Sequence, residues 1–102
     1  MDQEQALKIA RAFLDTVRAS GYRVREVFLF GSTVQGTAGP DSDIDIALLM
    51  DGMANSFDTQ VELMKLRRSV DLRIEPHPFA STDENDPSGF LAEIMRNGIR
   101  VA

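Results

Sequence analysis

The sequence predicts an α/β (α+β) protein: one small domain spanning residues 1–102, with a mixed, mostly antiparallel sheet flanked by helices. Three observations lead there. A chain of 102 residues can bury one core but not two. Strand-like runs alternate with amphipathic stretches, as expected of a single sheet covered on one face. The link between the first two strands has room for only a turn of helix, which disfavours a doubly wound parallel sheet.

Ala6, Leu7, Ile9, Ala10, Phe13, Leu14 and Val17 recur at helical spacing until Ser20-Gly21, so the first element is an amphipathic helix with a glycine stop. Arg25–Phe30 (REVFLF) is a β-type run, apolar on both faces over its second half, as in an interior strand. Gly31–Ser42 holds three glycines and a proline and reads as a connector, with a helical turn near Thr33–Gln35. Asp43–Met50 (DIDIALLM) is the second strand, and Asp51–Ser56 is a turn.

Phe57, Val61, Leu63, Met64 and Leu66 predict a helix over Phe57–Ser69. Val70–Glu75 (VDLRIE) alternates apolar and charged residues, the pattern of a half-buried strand. Pro76–Gly89 reads as a polar loop ending in a helix start, with Asp86 as N-cap and Pro87 at the first helical position. Phe90, Leu91, Ile94 and Met95 form that helix's inner stripe, Asn97-Gly98 closes it, and Ile99–Ala102 is a final short strand.

Composition narrows the function. The net charge of −5 argues against direct nucleic-acid binding through phosphates, which relies on a basic surface. A nucleotide held through metal ions is still compatible, because acidic residues are then the ligands. The chain lacks cysteine, so it has neither disulfides nor thiolate metal sites. No run approaches the ~18 apolar residues of a membrane span. The stretch MDQEQALKIARAF is acidic and amphipathic, unlike a signal peptide, and cytoplasmic residence is the expectation.

The chemistry concentrates between Phe28 and Met50. Asp43 and Asp45 sit one residue apart in an isoleucine-rich strand, where an unpaired buried carboxylate would cost several kcal/mol or more. Alternation puts them on one face, Cα atoms ~6.6 Å apart, with Ile44, Ile46 and Leu48 on the other. Two such carboxylates raise each other's pKa unless a cation lies between them, and magnesium with its preference for oxygen ligands suits the position. A bare D-x-D is more often the polar face of a half-exposed strand. Here Gly31-Ser32 precedes it by ten residues, directly after an apolar strand. Glycine lets the backbone approach a ligand, successive N–H groups form an anion-binding nest, and the serine hydroxyl adds a hydrogen bond to phosphate. Asp71, on the polar face of VDLRIE, becomes a third carboxylate if that strand neighbours DIDIALLM; its plainer reading is an exposed residue paired with Arg73.

The composite FGS, ten residues, SDIDI resembles the nucleotidyltransferase signature of the DNA polymerase beta superfamily, most closely its minimal nucleotidyltransferases. The match covers about Val27–Met50, with Asp71 and EPHPF as looser support. The resemblance implies a mixed sheet with helices packed on it and ATP, or another nucleoside triphosphate, as substrate. It implies two magnesium ions on Asp43, Asp45 and Asp71, phosphates at Gly31 and Ser32, and Asp71 assisting deprotonation of the attacking hydroxyl. It further implies a protein acceptor: the minimal family accompanies HEPN-type toxins and, as antitoxin, transfers AMP to a toxin tyrosine.

The chain departs from that family in carrying Thr33 and Gln35 where basic residues are usual. Arg73 is the expected substitute at the nucleotide, sharing a strand face with Asp71; Lys65, Arg67 and Arg68 read first as complements of a helix dipole. His77, the only histidine, stands between two prolines and reads as positional. Three functions fit: a protein adenylyltransferase, a non-catalytic antitoxin acting by surface contact, and an antibiotic-type nucleotidyltransferase needing a separate substrate-binding subunit.

Overall fold

The computed structural model describes residues 2–37, 39, 42–82 and 88–102. Helix α1 (Gln3–Ala19) begins where the Asp2 carboxylate accepts from Gln5 N, satisfying one of the free N–H groups of the first turn. Strand β1 (Arg23–Phe30), the short α2 (Ser32–Gln35) and strand β2 (Ile44–Asp51) follow. Helix α3 (Ser56–Leu66) is capped by the Asn55 side chain, which accepts from Phe57 N and Asp58 N, and runs into a 3₁₀ turn at Arg67–Ser69. Strand β3 (Ile74–Ala80), α4 (Phe90–Asn97) and β4 (Ile99–Arg100) complete the chain.

The sheet is mixed, in the order β3-β2-β1-β4. β1 pairs antiparallel with β2 and β4, while β2 and β3 run parallel through the α3 crossover. Ala6, Ala10, Phe13 and Val17 of α1, with Leu63 of α3, cover one face, against Val27, Leu29, Ile44, Ile46 and Leu48. The expected cover on one face is incomplete. Phe28, Ala47 and Leu49 point the other way, and Leu91 and Ile94 of α4 bury them. β1 and β2 are apolar on both sides, so water must be excluded from both.

The third strand differs from expectation. Of Val70–Glu75 only Ile74 and Glu75 belong to it: a turn occupies Asp71–Arg73, and β3 begins at Ile74 and runs to Ala80, into the segment expected as loop. Pro76 and Pro78 obscured it, yet β3 is an edge strand, where a missing N–H is tolerated. Arg67 Nη1 and Gln60 Nε2 donate to the carbonyls of Ile74 and Pro76, covering that edge from α3. Of the apolar positions of α3, Leu63 is buried and Leu66 packs against the core, while Phe57 at 70% exposure and Val61 at 39% face out. The expected N-cap Asp86 and first helical residue Pro87 lie outside the described residues; α4 does end at Gly98, whose N–H donates to Ile94 O.

Candidate active site

The candidate residues meet where β1 ends and β2 and β3 begin. Phe30 pairs with Asp45, and Ile44 with Ile74, so the Gly31 turn and the Asp71–Arg73 turn flank the first residues of β2. Ile44 N donates to Arg73 O at 2.8 Å, tying the second turn to that strand end. Asp43, one residue before β2, is exposed; Asp45 is half-buried. Ile44, Ile46 and Leu48 are fully buried on the opposite face, as the alternation requires.

Gly31 has φ +79° and ψ −147°, backbone closed in practice to residues with a side chain. A Cβ at this position would strike Asp45 Oδ2. The missing side chain therefore lets this carboxylate oxygen pack against the Gly31 backbone. Ser32 starts α2 and is half-buried, with the N–H groups of Val34 and Gln35 turned back to Gly31 O. Thr33 is buried and donates to Phe30 O at 3.4 Å, which explains the absence of a cation there: position 33 faces the protein.

The other oxygen of Asp45 has a partner that sequence reasoning missed. His77 Nε2 lies 3.1 Å from Asp45 Oδ1, and the imidazole meets the Phe30 ring edge-on at 5.0 Å. His77 sits opposite Ala47 in the β2–β3 register, so it belongs to a strand, not a loop. The legible signal was alternation through the prolines, with His77 and Phe79 on one face.

Asp71 and Arg73 lie in the turn before β3 and share no strand face. Arg73 closes on the carboxylate through its backbone N (2.9 Å) and Nε (3.0 Å) to Oδ1 and its Nη2 to Oδ2 (2.7 Å). These side-chain hydrogen bonds hold the Asp71 carboxyl below the usual carboxylate range, against the upward pull of partial burial. Of the other basic candidates, Arg67 is held on Ile74 O and Lys65 pairs with Glu62.

Hard carboxylate oxygens at one end of the sheet, with no sulfur among them, are the donor chemistry that magnesium requires, and one of them packs against Gly31. Among the described residues, no three His, Cys, Asp or Glu side chains are gathered as a metal cluster. Asp45 is engaged with His77 and Asp71 with Arg73. The donors fit the ion in kind. A cavity of about 240 Å³ adjoins Gly31, lined by Phe30, Val34, Gln35, Phe90, Ile94 and Asn97. A larger hollow of about 400 Å³ lies at the opposite end of the sheet. It brings no chemistry together, since its carboxylate, Asp51, already accepts from Ser81 and pairs with Arg25.

The model of the nucleotidyltransferase domain family matches residues 10–85, three-quarters of the chain, a span within which the six candidate residues lie. The chain belongs to that family. No curated protein matches it. Among solved structures, one described as a nucleotidyltransferase from Sulfolobus solfataricus is 22% identical with a TM-score of 0.67, covering 96% of this chain and 80% of that one. A toxin–antitoxin complex with AMP-PNP is 24% identical with a TM-score of 0.67, covering 91% of this chain and 72% of that one. The MntA–HepT toxin–antitoxin structure is 20% identical with a TM-score of 0.60, covering 92% of this chain and 69% of that one. At these identities the likeness is one of fold, and the nucleotidyltransferase domain here has their mixed sheet. Among the described residues, no helix is long and apolar enough to cross a membrane.

Proposed function

We propose that this nucleotidyltransferase domain transfers a nucleoside monophosphate, AMP from ATP foremost, to a hydroxyl of a partner protein. We further propose that the partner is a HEPN-type toxin and that the chain is its cytoplasmic antitoxin. The observation that carries this reading is the fit between Gly31 and Asp45: a turn that only glycine can make lies directly against a half-buried carboxylate. The toxin–antitoxin complex with AMP-PNP, similar in fold, supports the choice of nucleotide and partner.

In this reading Gly31 and Ser32 hold the phosphates through backbone N–H groups and the serine hydroxyl. His77 keeps one oxygen of Asp45 occupied and so fixes its carboxylate plane. Asp43, Asp45 and Asp71 would hold magnesium ions, which supply charge neutralisation at the α-phosphate and the leaving pyrophosphate. The acceptor hydroxyl forms a new P–O bond at the α-phosphorus, the α–β anhydride breaks, and the hydroxyl proton passes to Asp71. The cavity between Phe30 and Phe90 offers apolar walls and the amides of Gln35 and Asn97 to a base.

The test is incubation with labelled ATP, magnesium and the partner protein. Asp43→Asn and Asp45→Asn are expected to reduce labelling at least about a hundredfold, the scale of losing a transition-state electrostatic contact. The engagement of Asp71 by Arg73 favours a second reading, an antitoxin that works by contact alone. Neutralisation of the partner by Asp45→Asn without label would establish that reading and sink the first.

A further inference from the structure

We propose that the outward face of α3 is the seam of an antiparallel homodimer, covered by α3 of a second copy of this chain. The inference is independent of the proposed activity. Thr59, Leu63 and Leu66 turn toward the sheet and the core. Phe57, Val61 and Met64, with Arg68 of the 3₁₀ turn that extends the helix, fall on the opposite side. Their spacings of four, three and four residues are those of a coiled-coil seam. One exposed apolar side chain is ordinary. A row of them along one helix face, beside an open hollow of about 420 Å³, is a surface that gains by being covered.

Two observations choose the occupant. The β3 edge runs beside the stripe, but Pro76 and Pro78 have no N–H, and the carbonyls of Ile74 and Pro76 are taken by Arg67 and Gln60. A strand has no ladder to join there, so the face is covered through side chains, as a helix covers it. The charges then match a copy of the same helix. Asp58 and Lys65 lie on one flank of the stripe, seven residues apart. Two α3 helices laid antiparallel, about a twofold axis between Val61 and Met64, bring Asp58 of each against Lys65 of the other. Val61 packs on Met64 of the other copy, and Phe57 lies under its Arg68 guanidinium, a cation–π contact. A parallel pair would set Arg68 against Arg68 and bring no cation to Asp58. Among the described residues Asp58 and Arg68 form no ion pair, and Lys65 holds only Glu62, through an exposed contact at 3.4 Å. The seam is short, so the dimer depends on concentration.

Sedimentation equilibrium of the full chain, from micromolar to near-millimolar concentration, tests this. The wild-type chain is expected to pass from monomer to dimer across that range. Phe57→Ser removes two rings from the seam, one from each copy, and should weaken the dimer at least about tenfold. Each charge reversal turns two attractive pairs repulsive by symmetry, so Asp58→Lys or Lys65→Glu alone should weaken it about tenfold. The two reversals together restore both pairs in the opposite sense and should return the affinity to within about threefold of wild type. Such rescue requires Asp58 and Lys65 to meet across an antiparallel seam. Val61→Ser, at the next position of the stripe, serves if Phe57→Ser fails to fold. A wild-type chain that stays monomeric throughout would overturn the proposal and leave the stripe to a different protein. A dimer that neither stripe variant weakens would overturn its assignment to α3. Single reversals without rescue would overturn the antiparallel register.

Discussion

Gly31→Ala perturbs the site at its most constrained point. Two separate costs arise. The backbone at φ +79° and ψ −147° is nearly exclusive to glycine, and holding alanine there costs about 1–3 kcal/mol. The added Cβ also collides with Asp45 Oδ2, and forcing a methyl into an occupied space costs about 1–3 kcal/mol more. Relief requires Asp45 to swing away, which sacrifices its hydrogen bond to His77, about 1 kcal/mol. Together these predict a loss of about 3 kcal/mol or more, or about 12 °C or more in Tm at the usual scaling for a domain of this size. Urea unfolding of wild type, Gly31→Ala, Asp45→Ala and the double variant separates the terms. Removing the Asp45 carboxylate should relieve the collision but not the backbone strain, leaving a coupling of about 1–2 kcal/mol between the two positions. Additivity within about 0.5 kcal/mol would refute the collision. A Gly31→Ala protein as stable as wild type would refute the whole argument.

Two further outcomes follow from the geometry. Gly98→Ala should destabilise by about 2 kcal/mol at ordinary φ, because the new Cβ would lie 2.6 Å from Ile94 O and 2.8 Å from Leu29 O, backbone atoms that cannot rotate aside; a thermal melt unchanged within about 2 °C would contradict this. Asp71 has a folded-state pKa held below its unfolded value of about 3.9, so the unfolded chain takes up the proton first as pH falls. Its stabilising contribution is fully present above that value and is lost as pH drops through the lower folded value. In EDTA, Asp71→Asn should therefore show a shallower fall in urea midpoint between pH 5 and pH 2.5 than wild type, and parallel curves would count against the Arg73 contact.

Several elements were legible because their physics is local. The α1 stripe ends at a glycine stop, and α4 likewise closes at Asn97-Gly98. The Gly31-Ser32 turn and the alternation of Asp43–Met50 rest on backbone and side-chain rules that act within a few residues. The third strand was misplaced by its prolines. Only its position at the sheet edge, and the Arg67 and Gln60 donors covering that edge, make β3 a strand. The second helical layer was missed for a related reason. Apolarity on both faces of β1 was visible, but which helix covers the second face depends on where the chain returns.

The sequence by itself determined the family signature and the mixed sheet, and it put Gly31, Ser32, Asp43 and Asp45 on one strand-turn-strand unit, since spacing along the chain suffices for these. Tertiary structure alone gave Asp45 its partner, and it settled Asp71 on Arg73, the pairing that the sequence offered as the plainer reading. His77 reaches Asp45 across 32 residues because β3 lies parallel to β2 in one register. Arg73 turns onto Asp71 because the chain bends before that strand begins. Hydrogen bonds fall off within a fraction of an ångström, so the His77–Asp45 contact exists only once strands from distant segments have been aligned.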